Sequence, residues 1–156
     1  PNGVRAYVTA WDSDVVSVID LPVNAVVGTV AVGDSPFGTA ITPDGTRAYV
    51  TAWDSDAVSV IGTAVDAVVA TVPVGDSPFG TAITPDGARA YVTNYASDTV
   101  SVIVTAVDAV VATVTVGDSP SAVAITPDGT RAYVTNYDGD SVSVVAIEYP
   151  GLSSRP

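Results

Sequence analysis

A 42-residue unit recurs along this chain without insertion or deletion. Thr42-Pro43-Asp44-Gly45 returns as Thr84-Pro85-Asp86-Gly87 and as Thr126-Pro127-Asp128-Gly129. The run Arg-Ala-Tyr-Val-Thr starts at Arg5, Arg47, Arg89 and Arg131. A repeat of this length is one supersecondary unit that cannot bury its apolar surface alone, so it stacks on its copies. The 156 residues hold between three and four such periods, and the chain reads as an array rather than a single conventional core. The array occupies 1–148, as periods 1–42, 43–84, 85–126 and 127–148, and a tail follows at 149–156.

Within a period the pattern is that of four short strands. Taking the second, strand A is expected at Phe37 to Thr42, B at Arg47 to Ala52, C at Val58 to Ile61 and D at Val68 to Val74. Pro43-Asp44-Gly45 is a tight-turn signal: Pro presets φ, Asp caps the turn and Gly accepts a positive φ. Asp54-Ser55-Asp56 is a polar turn, and Asp66 tips the loop between C and D. β-branched residues dominate and no polar face recurs every three to four residues, so no helix is expected. Val68 to Val72 is apolar on both faces, as a sheet packed between two neighbours requires. Four strands in about 40 residues is the spacing of a β-propeller blade, with strand A innermost. The expected fold is therefore an all-β propeller of 42-residue, four-stranded blades, about 3.5 per chain.

The phase of the array leaves its ends incomplete. Counting gives B-C-D, A-B-C-D, A-B-C-D, A-B-C. The first unit lacks an inner strand and the last an outer one, and the tail through Tyr149-Pro150-Gly151 does not resemble strand D. Open sheet faces and edges are liabilities, so self-association into a closed ring is expected, with a dimer favoured over a closed four-bladed monomer. Two copies carry 28 strands, the number in seven four-stranded blades. Pro1 in place of an initiator Met points to a processed or trimmed segment.

Composition narrows the function. The net charge is −12, with five Arg and no Lys. Nucleic acid is an unsuitable partner, because phosphate binding needs a basic face, and an anionic membrane surface is unsuitable for the same reason. No apolar run is long enough to span a bilayer, so no membrane insertion is expected. There is no Cys, Met or His. Thiolate and imidazole metal sites are excluded, as are Ser-His-Asp and Cys-His catalysis.

Tyr91-Val92-Thr93-Asn94 and Tyr133-Val134-Thr135-Asn136, with the surrounding Pro-Asp-Gly, Ser-Val-Ile and Val-Gly-Asp-Ser-Pro elements, resemble the YVTN β-propeller repeat family over nearly the whole chain. The first two periods read Tyr-Val-Thr-Ala instead, at Tyr7 to Ala10 and Tyr49 to Ala52. The resemblance implies a propeller of the surface-layer type, related to lactonase-like propellers. It also implies an extracellular or cell-surface location and a structural or interaction role rather than chemistry.

Candidate sites follow from sorting the loops. In a propeller the B–C and D–A loops emerge on one face and the A–B and C–D loops on the other. Asp54, Asp56 and Asp76 then share the first face, while Asp44 and Asp66 share the second with Arg47. An aromatic ends strand B in every period: Trp11, Trp53, Tyr95 and Tyr137. With Asp12, Asp54 and Asp76 these rings form a candidate interaction face for a cationic side chain of a protein or for a glycan. The competing reading is that they pack between blades. Asp54/Asp56 and Asp138/Asp140 could hold Ca²⁺; they fit no EF-hand pattern and also suit ordinary turns, so no metal or other cofactor is expected. Arg5, Arg47, Arg89 and Arg131, one per period, suit ion pairs or carbonyl forks between units. Gly38 and Gly80 mark crowding near the axis, and Ser121-Ala122 replaces Phe79-Gly80 in the third period. No catalytic residue stands out. The expected function is a noncatalytic scaffold or protein-interaction module. The alternatives are a lactonase-like hydrolase and an engineered self-assembling scaffold.

Overall fold

The computed structural model of the chain describes residues 3–148; most of the Pro1-Asn2-Gly3 turn and the tail at 149–156 lie outside them. Fourteen strands form four antiparallel sheets. Sheet I holds β1 (Arg5–Ala10), β2 (Val15–Asp20) and β3 (Ala25–Ala31). Sheet II holds β4 (Pro36–Ile41), β5 (Arg47–Ala52), β6 (Ala57–Gly62) and β7 (Ala67–Pro73). Sheet III repeats it as β8 (Pro78–Ile83), β9 (Arg89–Asn94), β10 (Thr99–Val104) and β11 (Ala109–Thr115). Sheet IV holds β12 (Pro120–Ile125), β13 (Arg131–Asn136) and β14 (Ser141–Ala146). Each terminal trio is a sheet of its own.

Neighbouring sheets approach most closely along β4, β8 and β12 and diverge toward β3, β7 and β11. That radial splay is propeller-like. Inner strands crowd, and Gly38 shows how closely: a Cβ there would press into the Phe79 carbonyl oxygen of the next inner strand, and one at Gly80 into that of Ser121.

The core is a set of interlayers rather than one nucleus. Val16, Val18 and Val30 of sheet I meet Ala48, Val50 and Ile61 of sheet II. Tyr49, Val58, Val60 and Val72 meet Ala90, Val92 and Ile103 of sheet III. Tyr91, Val100 and Val102 meet Ala132 and Val134 of sheet IV. Because side chains alternate across a strand, Tyr49 and Val50 serve opposite interlayers. Every central strand therefore needs apolar residues on both faces, and valine on a pleated surface fits that well.

Strand B matches its expected bounds, and strands A and D start one residue earlier. The expectation of no helix fails at three short places. Single 3₁₀ turns occupy Trp11–Ser13, Trp53–Ser55 and Tyr95–Ser97. In two of them the D–A loop of the same unit supplies acceptors: Trp53 N–H donates to Ser35 O at 3.0 Å and Asp54 N–H to Asp34 O at 3.3 Å, and Tyr95 and Ala96 repeat the pair with Ser77 and Asp76. Each turn ends on an aspartate at positive φ, Asp14 at 54°, Asp56 at 49° and Asp98 at 53°, a conformation Asp tolerates better than most residues.

Candidate functional site

Hydrogen bonds tie the B–C and D–A loops into one surface. Ser35 N–H donates to Asp14 of the preceding unit at 2.9 Å, and the Ser35 hydroxyl donates to Asp54 of its own unit at 2.5 Å. Ser77 N–H donates to Asp56 and Ser119 N–H to Asp98, both at 2.8 Å. The Ser119 hydroxyl donates to Asp138 at 2.6 Å. Asp54, Asp56 and Asp138 thus close turns. Among the described residues no group of three or more acidic side chains gathers as a metal site. The same loops carry Asp12, Asp34, Asp76, Asp118 and Asp140 and no basic residue, so the surface is uniformly acidic.

An aromatic ribbon crosses this surface from sheet to sheet. The ring of Trp11 lies 5.7 Å from Phe37, edge-on, and 6.1 Å from Trp53. Phe37 stacks on Phe79 at 3.7 Å. Trp53 lies 5.6 Å from Phe79 and 5.3 Å from Tyr95, and Tyr95 lies 6.5 Å from Tyr137. The B-strand aromatics therefore do bridge sheets as packing, yet they are not buried. Trp11, Phe37 and Tyr137 are exposed, and Trp53, Phe79 and Tyr95 are half-buried. Aromatic pairs in such tilted and edge-on geometry contribute about 0.5–1.5 kcal/mol beyond their buried area. The ribbon is thus both a brace and a surface. Phe37 and Phe79 were missed as members of it. Their signal was the D–A loop, which places them beside the B–C loop that carries the tryptophans.

The opposite face is built from clamps. Arg5 Nη1 donates to Asp66 at 2.6 Å and to the Thr63 carbonyl at 3.2 Å, while the Tyr7 hydroxyl donates to the other Asp66 oxygen at 2.8 Å. One unit later Arg47 Nη1 donates to Asp108 at 2.6 Å and to the Thr105 carbonyl at 2.9 Å, and the Tyr49 hydroxyl donates to Asp108 at 2.7 Å. Arg89 Nη1 donates to the Glu148 carbonyl at 2.8 Å. Arg5 and Arg47 each reach the C–D loop of the following sheet, and Arg89 the segment after β14, rather than an aspartate of their own period. Arg131 stands exposed on the terminal sheet. Burial first, then the bond to Asp108, hold the Tyr49 hydroxyl well above its ordinary pKa. The Pro-Asp-Gly turns carry depressed carboxyls. The Thr42 hydroxyl and the Thr46 N–H pull Asp44 down, and the Thr126 hydroxyl and the Thr130 N–H bring Asp128 to about 2. At Asp86, burial pushes upward but the Thr84 hydroxyl and the Ala88 N–H outweigh it.

A groove of about 270 Å³ runs along the inner strands past Gly38, Thr39, Gly80, Thr81, Ala122 and Val123. The Thr39 and Thr81 hydroxyls are buried without a hydrogen-bond partner. The Asn94 side chain, fully buried, donates to Thr99 and Ser101 hydroxyls at 2.9 Å each and locks the end of its hairpin.

No family model matches the chain, and no curated protein sequence matches it. Solved structures do. A hydrazine synthase chain from Kuenenia stuttgartiensis is 31% identical with a TM-score of 0.89, over 94% of this chain and 44% of that one. A functionally unknown protein from Desulfotomaculum acetoxidans is 20% identical with a TM-score of 0.75, over 86% of this chain and 44% of that one. These likenesses support the propeller-like fold. The chain spans less than half the length of each of these two structures.

Proposed function

We propose that this chain is a noncatalytic β-propeller module, built from 42-residue blades, that binds a cationic peptide segment on its aromatic, acidic face. The observation that carries the proposal is the half-exposed ribbon from Trp11 to Tyr137, rimmed by aspartate loops without one basic residue. An indole face attracts a guanidinium or ammonium, and the surrounding carboxylates add a long-range field of the same preference. The Tyr-Val-Thr-Asn motifs support a place in the YVTN repeat family and an extracellular or cell-surface role. The match to part of a hydrazine synthase chain supports use of this architecture as one portion of a longer chain.

Tryptophan fluorescence during titration with an Arg/Lys-rich peptide tests the proposal. A saturable change is expected, weakened by salt, lost in Trp11→Ala and absent with an acidic peptide. A response to neutral oligosaccharide alone would assign the face to glycans. Turnover of a lactone with added divalent ions would overturn the noncatalytic reading in favour of a hydrolase.

A further inference from the structure

The aromatic ribbon carries a spacing that selects among cationic peptides. Successive B-strand rings lie 6.1 Å apart at Trp11–Trp53 and 5.3 Å apart at Trp53–Tyr95, tilted by 51° and 45°. Rings this close and this inclined leave no slot between them for a planar group. A cation seated over the gap between two of them lies within about 6 Å of both centroids, the reach of a cation–π contact. Each gap therefore attracts one cationic group through two rings, and Trp53 serves both gaps. A phenylalanine backs each of them. Phe37 meets Trp11 edge-on at 5.7 Å, and Phe79 lies 5.6 Å from Trp53 and 6.2 Å from Tyr95. The third gap, Tyr95–Tyr137, is wider at 6.5 Å, lacks a tryptophan, and has Ser121 where Phe79 stands one period earlier. Indole attracts a cation more strongly than phenol, so the two gaps around Trp53 are the strong ones.

These two gaps are one ring spacing apart. In an extended chain the side chains on one side recur at every second residue, about 6.6 Å apart. Adjacent residues point to opposite sides, so only one of them can reach the ribbon. A helix also brings side chains on successive turns to about 5–6 Å, but it bonds its own N–H groups, whereas this face offers free acceptors. The carboxylates of Asp34 and Asp76 are exposed and accept no hydrogen bond among the described residues. Both are held beside the rings, because Asp54 N–H donates to the Asp34 carbonyl and Ala96 N–H to that of Asp76. An extended backbone brings unpaired N–H groups to these carboxylates, and the interior of a helix brings none.

We infer that Trp11, Trp53 and Tyr95 form two adjacent cation subsites that take a basic-x-basic segment in extended conformation, with its two cationic side chains two residues apart. This rests on the cationic-peptide reading of the face and adds the register of the ligand. Short peptides of one composition test it, each with two arginines among serine and glycine, placed at i, i+1, at i, i+2 or at i, i+4 and titrated calorimetrically at low salt. The i, i+2 peptide should bind about 2–5-fold more tightly than the i, i+1 peptide, which seats only one cation. Trp53→Tyr and Tyr95→Trp probe the subsites without changing charge. Each introduces a residue that other periods carry at the same position, so both variants should fold. The first should weaken the i, i+2 peptide and the second tighten it, by about two-fold each. Equal binding of the three peptides would overturn the register and leave the cationic-peptide reading standing. A preference for i, i+4 would overturn the extended conformation. Binding by none of them would overturn both readings, and affinity unmoved in both variants would overturn the subsites.

Discussion

Removing the Asp108 carboxylate should cost far more than its place in a surface loop suggests. Asp108 takes hydrogen bonds from Arg47 and from Tyr49, and its side chain is 15% exposed against 35% for Arg47. Two losses follow in Asp108→Ala. The charge-assisted bond to Arg47 is worth about 1.5–3 kcal/mol in general, but here the lower end applies, because the guanidinium keeps the Thr105 carbonyl and part of its hydration. The Tyr49 hydroxyl, on a residue with no exposed surface, is left without an acceptor, which costs about 1–3 kcal/mol. The sum is about 2.5–4.5 kcal/mol, or a fall in Tm of roughly 5–18 °C for a chain of this size. Thermal and urea unfolding measure it. A double-mutant cycle then isolates the cause: in Tyr49→Phe the stranded hydroxyl is gone, so adding Asp108→Ala to it should cost at least ~1 kcal/mol less than on the native background. The equivalent Asp66→Ala, beside a more open Arg5, should lose less. A loss within ~0.5 kcal/mol of native for Asp108→Ala, or strict additivity with Tyr49→Phe, would refute the clamp as the element joining these sheets.

Thr39→Val and Thr81→Val should be neutral or stabilising by up to ~1 kcal/mol in urea unfolding, because each deletes a buried hydroxyl with no partner and Val123 already occupies the third such site. Gly38→Ala and Gly80→Ala should each destabilise by about 2 kcal/mol or more, since the blocking atom is backbone, while Ala122→Gly should change stability by under ~1 kcal/mol. Titration of stability should show two limits. Asp44, Asp86 and Asp128 have pKa values below the unfolded carboxyl, so their contribution is present above pH ~4 and lost as pH falls toward 2. Tyr49 is raised, so its contribution is present below pH ~10 and declines above it; Tyr49→Phe should remove part of that alkaline decline.

The period carried most of the fold. Strand B could be placed from Arg-Ala-Tyr-Val-Thr alone because both of its faces are packed, and Gly38 could be tied to crowding because a glycine inside a strand has few other reasons to be there. The 3₁₀ turns could not be placed from local sequence, since the loop bonded to those at Trp53 and Tyr95 lies about 20 residues earlier in the chain. The partner of Arg47 was hidden for a stronger reason: Asp108 is 61 residues away on the next sheet, while Asp44 and Asp66 are nearer in sequence. Repetition assigns a residue its role but leaves open which copy it acts upon. The aromatic ribbon was half legible, because the tryptophans recur at one phase and the phenylalanines at another, and only the radial approach of the sheets interleaves them.

Isothermal titration of the unmodified chain with an Arg/Lys-rich peptide at low and high salt tests most directly whether the aromatic, acidic face is a binding surface. The chain carries a net charge of −12, so its long-range attraction for a cationic peptide is screened by salt. The predicted result is saturable binding at low salt that weakens as salt rises and is lost in Trp11→Ala. No binding at any salt, or binding unchanged in Trp11→Ala, would contradict the account.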